Sequence, residues 1–263
     1  MKTVLLYVED VPDMEVRLQA ALSLARQQEA HLTCLQLMPV PYLPIETAVA
    51  GPSFDRLVQS IEEPARAQRA ALEERLRSEM ISWDWQAEMG APAIEILSAA
   101  RLVDVIVVGT GHGALSSSVV GALIVHSHMP VLAVPGDATN YDPSGSAMIA
   151  WNGSSEAANA IRCGLPLLRS AENVHIVAVE ENSPGLPAAD VAAYLSRHGI
   201  HAEVHQRDAE PSVEEALKIA ARELGAATIV MGGYGHTRMR ELVFGGVTRA
   251  MLQDCPIPLL LSH

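Results

Sequence analysis

Residues 231–248 read MGGYGHTRMRELVFGGVT. Gly232 and Gly235 follow directly on the apolar run Thr228–Met231, and nine residues separate Gly235 from Gly245-Gly246, which lead into a helix-length stretch. A glycine-rich backbone ahead of a helix presents unpaired N–H groups and the positive end of the helix dipole. Both suit an anion such as phosphate. Val247 and Thr248 would lie in the first turn of that helix, where the Thr248 hydroxyl can donate to a phosphate oxygen. Taken singly, each glycine also suits an ordinary turn or cap. The order strand, G-x-x-G, nine residues, G-G-V-T is what favours a ligand. No G-K-[ST] follows, so this is not a Walker phosphate loop.

The elements that must hold these residues alternate in type. In the second half, apolar runs predict strands near 147–151, 174–179, 202–207, 227–231 and 257–261. Amphipathic stretches predict helices near 154–169, 187–198, 212–224 and 246–254. Ser212 with Glu215 three residues on forms a capping box, and Gly225 suits the other end of that helix. The glycine cluster therefore follows a fourth strand, whereas the G-x-G-x-x-G of dinucleotide-binding folds follows a first. In the first half, 53–80 reads as one long amphipathic helix with a break near Pro64, preceded by a loop at 40–52. Trp83 and Trp85 alternate around Asp84 as on a half-buried strand.

The chain repeats itself. Residues 104–136 match 227–263 in order and nearly in spacing, and 2–38 match 146–181 as strand, turn, helix, strand. Between them, PGDATNYDPSGS (135–146) has linker chemistry. Two tandem domains follow, 1–138 and 145–263. Alternating strands and helices imply parallel strands with right-handed crossovers, hence an α/β, doubly wound sheet in each half. Ligands of such sheets bind beyond the C-terminal strand ends where the strand order reverses. That places Ala150, Trp151 and Asn152, at the first strand exit, beside Met231, Gly232 and Gly235.

Composition supports this class. Of 263 residues 49% are hydrophobic but only 4% aromatic, which favours helices on a parallel sheet over an antiparallel sandwich. A net charge of -13 with 18 Lys and Arg argues against nucleic acid, which needs a basic face. Three widely spaced cysteines, Cys34, Cys163 and Cys255, read as buried thiols in a reducing compartment. MKTVLLYVED reads as a first strand rather than a signal or membrane segment. A cytoplasmic protein is expected.

The second half resembles the universal stress protein family. Its nucleotide-binding members carry G-x-x-G, nine residues, then G-[ST] after the fourth strand, matched here by Gly232, Gly235 and Gly245, with Gly246 at the hydroxyl position. AMIAWNGSSEAANAI is similar to the family's first strand and turn, with Asn152 where an Asp is usual. VHIVAVEE resembles its second strand and places Val179 against an adenine. The likeness covers nearly the whole chain in two copies, so the sequence looks like a tandem member. It implies five parallel strands per half with helices on both faces, and ATP between the first and fourth strand ends. It also implies two halves paired as separate subunits pair, often through their last strands.

Departures from the pattern bear on function. The first half has Gly109-Thr110-Gly111, one residue short, and Gly121 is followed by Ala122, Leu123 and Ile124. With Glu9 and Asp10 at its first turn, that half reads as a degenerate, empty site. In the second half Gly246 removes one hydroxyl and Asn152 one carboxylate. The expected ligand is ATP or AMP, with Mg2+ if ATP, over Ala150, Trp151, Asn152, Val179, Met231, Gly232, Gly235, Gly245, Gly246, Val247 and Thr248. It would act as a conformational signal toward a protein partner, with at most slow ATP hydrolysis. The other reading is a nucleotide-free interaction module. Trp151 fits either a core position or a stacking wall. His236, Arg238 and Arg240 could reach a triphosphate or stand on a solvated face. His126-Ser127-His128 reads as a helix end and Ser116–Ser118 as a polar helix turn, and no catalytic or metal-ligating set is expected. The apolar last strands PVLAVP and PIPLLLS offer edges for pairing, within the chain or in a further homodimer.

Overall fold

The computed structural model describes residues 1–38, 52–110, 115, 117–138, 140–179, 185–235 and 246–263. Strands β1 (Thr3–Val8), β2 (His31–Met38), β3 (Trp83–Met89), β4 (Val105–Gly109) and β5 (Val131–Val134) belong to the first half. Strands β6 (Ala147–Trp151), β7 (Val174–Val179), β8 (Glu203–Arg207), β9 (Thr228–Gly232) and β10 (Leu259–Ser262) belong to the second. Helices α1 (Met14–Gln28), α2 (Pro52–Arg77), α3 (Pro92–Ala99) and α4 (Ser117–His126) connect the first set, and α5 (Ser155–Leu168), α6 (Ala188–Arg197), α7 (Val213–Glu223) and α8 (Gly246–Asp254) the second. The expected second-half elements all form, within two residues of the bounds read from the pattern.

Rather than two separate sheets, the strands make one ten-stranded sheet in the order β3-β2-β1-β4-β5-β10-β9-β6-β7-β8. Within each half every pairing is parallel. At the centre β10 runs antiparallel to β5, with Leu260 opposite Leu132. The central strands are apolar apart from Thr228 and Ser262, as burial on both faces requires. The edge strands WDWQAEM and EVHQR are polar and largely exposed, which blunts further edge pairing.

Helices cover both faces, and each layer of core crosses the junction. One layer joins Leu18 and Leu24 of α1 to Ile161 and Leu167 of α5 and Leu195 of α6; the other joins Leu123 of α4 to Leu217 of α7 and Met251 of α8. The segment between the halves is tied down as well. Tyr141 is buried and its hydroxyl accepts from Thr228 Oγ1 at 3.1 Å.

Two local expectations change. Helix α2 continues through Pro64 without a break. Its C-terminal half is held by Leu72 and Leu76 against the core and by an Arg69–Glu73 pair at 2.7 Å, which offsets the hydrogen bond Pro removes. Cys163 is half-buried, unlike Cys34 and Cys255, because it faces the end of β10 near Ser262. Trp83 and Trp85 are partly buried and pack against the first layer. The loop at 40–52 lies outside the described residues except for its last position, Pro52, which opens α2.

The start of α7 follows its sequence signal. Ser212 Oγ accepts from the Glu215 N–H at 3.4 Å. At the other end the Gly225 and Ala226 N–H groups bond to the Arg222 and Ala221 carbonyls. Glu215 pairs with Lys218. Ser212→Ala is expected to cost about 0.5–2 kcal/mol, the usual worth of an N-cap, and a denaturant melt would measure it.

Candidate functional site

In the second half β6 and β9 are neighbours whose onward connections diverge, and Ala150 lies opposite Met231 in register. Their C-terminal ends are the switch point of that half-sheet. A cavity of about 130 Å3 opens there. Of the sequence-predicted residues, Ala150, Trp151 and Asn152 line it from β6 and its exit, and Met231, Gly232 and Gly235 from β9 and its exit. Val179 closes it from β7, and Val247 and Thr248 from the first turn of α8. Gly246 opens α8 and is exposed, outside the lining. Gly245, His236, Arg238 and Arg240 lie outside the described residues.

Local geometry explains the placement. Asn152 Oδ1 accepts from the Ser154 N–H at 3.2 Å, and Ser154 Oγ caps α5 by accepting from the Ala157 N–H at 3.1 Å. This turn aims the N-terminus of α5 at the cavity. Gly232 lets the sheet approach that helix end, since a Cβ here would lie 2.5 Å from the Ala157 backbone nitrogen. Gly232 thus has a packing role as well as a place in the lining. Trp151 is 5% exposed, belongs to the core layer under α5 and α6, and donates its indole N–H to the Leu186 carbonyl at 2.8 Å. It is therefore core, and it lines the cavity too.

Sequence reasoning missed five lining residues: Ser154, Glu156, Val213, Leu217 and Tyr234. Val213 and Leu217 come from α7, whose position over β7 and the switch point is a tertiary fact. Glu156 is buried in the first turn of α5, where the helix dipole favours a carboxylate. Its one visible signal was an acid next to a capping serine. Tyr234 is buried, with φ 56°, and desolvation raises its phenol pKa, opposed by Arg249. These two are the only titratable side chains among the described residues that line the cavity.

At the corresponding corner of the first half, Arg17 takes the space beside the last residue of β4. A Cβ on Gly109, at the end of β4, would lie 1.9 Å from Nη2 of Arg17. Arg17 rises from α1, is 1% exposed, and donates to Glu9 Oε2 at 2.6 Å and to the Tyr7 carbonyl at 3.4 Å. The Asp13 carboxylate stands 3.8 Å away. Burial raises the Glu9 pKa, with Arg17 opposing. Gly121 sits inside α4, and its counterpart Gly245 lies outside the described residues. Gly111 and Ser116 lie outside the described residues. A wider cleft of about 950 Å3 runs from this corner to the end of α8. Its carboxylates Asp13, Asp137 and Asp254 disfavour an anion. Because β5 and β10 are antiparallel, the two corners lie at opposite ends of the sheet along the strand direction. The remaining sequence features are structural: α4 ends at His126, and Ser127 bonds to Met129.

These features define a doubled, doubly wound α/β protein with a cavity at the switch point of its second half and a buried arginine beside Gly109 at that of its first. The universal stress protein family model matches residues 1–135 and 147–263, and the chain belongs to that family. Among solved structures, a universal stress protein from Archaeoglobus fulgidus is similar at 18% identity and TM-score 0.77, over 99% of this chain and 97% of that one. A functionally unknown protein from Pseudomonas aeruginosa matches at 15% identity and TM-score 0.63, over 100% and 92%. A universal stress protein assignment from the same species matches at 15% and 0.62, over 100% and 93%. At these identities the likeness concerns the fold. No curated protein matches the chain. No described helix is long and apolar enough to cross a membrane.

Proposed function

We propose that the second half of this universal stress protein binds an adenine nucleotide, ATP or AMP, as a conformational ligand. The observation that carries the proposal is the convergence of nine sequence-predicted residues on one cavity at the switch point, beside the N-termini of α5 and α8. The base would pack against Val179 and the β6 exit, the ribose near Asn152, and the phosphates over Gly232, Gly235 and the Val247–Thr248 turn. Mg2+ would accompany ATP. Glu156 and Tyr234 are the only titratable groups among the described lining residues, and the ligand would be held with at most slow hydrolysis. Binding would stabilise one conformation by mass action and bias a protein partner in the cytoplasm.

A second reading, a nucleotide-free interaction module, draws on other observations. The cavity of about 130 Å3 is smaller than the roughly 300–1,000 Å3 of typical ligand pockets. Tyr234 and the Glu156 carboxylate also stand on the phosphate side.

The nucleotide content of freshly purified protein separates the two. About one adenine nucleotide per chain is expected, or a rise in melting temperature with millimolar ATP and Mg2+. Thr248→Ala should weaken binding several-fold, the loss of one hydrogen bond worth about 0.5–1.5 kcal/mol. An empty protein with no thermal response sinks the nucleotide proposal in favour of the module.

A further inference from the structure

A second cluster of chemistry-bearing side chains lies away from the cavity. His175 is the second residue of β7, and Glu203 and His205 are the first and third of β8. Glu203 lies opposite His175 in the parallel register and His205 opposite Val177. Side chains two apart share a face of a strand, so all three stand on the same side of the sheet. The cluster is at the start of β7, whereas Val179 of the cavity ends it, about 13 Å further along the strand.

The same three atoms make every contact in the cluster. His175 Nδ1 lies 3.2 Å from His205 Nε2. Glu203 Oε2 lies 3.6 Å from the first and 3.8 Å from the second. The point equidistant from three atoms so separated is about 2.1 Å from each, which matches zinc–imidazole and zinc–carboxylate bonds of about 2.0–2.2 Å. The two rings are inclined at 55° rather than stacked. The side chains of His175 and His205 are 12% and 22% exposed and that of Glu203 62%. The two imidazoles are thus held by the fold, while the carboxylate closes the site from the solvent side.

We propose that His175, Glu203 and His205 form a binding site for a divalent transition-metal cation, zinc being the best fit. Two imidazoles and one carboxylate suit zinc and its neighbours and not magnesium or calcium, which take oxygen ligands. Three protein ligands leave a fourth position for water, the open arrangement of a zinc site that is not purely structural. The ion would join the edge strand β8 to β7 at the N-terminal end of the sheet. Burial keeps the His175 pKa below its usual value, which favours the neutral form that ligates. Sequence reading missed the set because His175 and His205 are thirty positions apart and only the β7–β8 register brings them together.

The test is a calorimetric titration of the chelator-stripped full chain with zinc and, in parallel, magnesium. One zinc per chain is expected, with no magnesium binding. His205→Asn and His175→Ala should each weaken zinc by about tenfold or more, since each removes one of three ligands. Glu203→Ala, at an exposed edge position where folding is not at stake, should weaken it less. A His126→Ala/His128→Ala variant should bind as the parent does. Cobalt should give the intense visible absorption of a four-coordinate site, lost in His205→Asn. If the parent binds no zinc, or Glu203→Ala and His205→Asn bind it unchanged, the proposal is overturned. The two rings would then be a hydrogen-bonded pair and no more.

Discussion

Arg17→Met is expected to destabilise the fold by about 3–5 kcal/mol, the cost of leaving one member of a buried ion pair uncompensated. Arg17 is 1% exposed and its partner Glu9 12% exposed in its side chain, so the loss falls on a carboxylate with little access to water. Replacing both members should cost less than replacing Arg17 alone, because Glu9→Gln removes the stranded charge. The deficit should also depend on pH. Burial already raises the Glu9 pKa with Arg17 opposing, and without Arg17 it rises further. A carboxyl whose native pKa is raised binds protons more tightly folded than unfolded. Its contribution is therefore present below the unfolded value and lost as pH rises through the folded one. Denaturant melts at about pH 5 and pH 8 should show the smaller deficit for Arg17→Met at the acid end. A single variant within about 1 kcal/mol of the parent at both values would show that water or a neighbouring group satisfies Glu9 without Arg17.

The second large effect lies at the centre of the sheet. Leu260 is fully buried on β10, opposite Leu132 of the other half and close under Gly164 of α5. Leu260→Ala should cost about 2–5 kcal/mol, the transfer loss plus the cavity it leaves. Because both core layers contain residues from both halves, the loss should appear throughout the chain. Native-state hydrogen exchange should show the most protected amides of β1 and β4 weakened together with those of β6 and β9. If only second-half amides lose protection, the halves unfold independently and the shared layers do not couple them.

Much of this architecture was legible in the sequence. Strand and helix periodicity, the Ser212 cap, the internal repeat and the glycine order are local or periodic signals, carried by side-chain alternation, capping chemistry and chain order. They placed the second-half elements within two residues, and they placed eight of the residues that the fold brings to one cavity, Val179 being placed by the family resemblance. The changed first-half corner was legible only as a departure. Gly109-Thr110-Gly111 announced a changed loop, but nothing local announced that Arg17, from the middle of α1, would occupy the space beside it.

What the sequence by itself determined is therefore the set of elements, their parallel alternation and the two copies of the switch point. Each depends on residues near one another in the chain. Only the tertiary structure decided which contacts join distant segments. Pairing through the last strands was expected from the family resemblance, and the tertiary structure set its antiparallel register, with Leu260 opposite Leu132, as the two apolar strands satisfy each other's backbone. It set α7 over the cavity and so made Val213 and Leu217 part of the lining. It also brought His175 against Glu203 and His205 by a strand register. Register and docking are chosen by the summed burial of whole faces, and no short stretch of chain carries that sum.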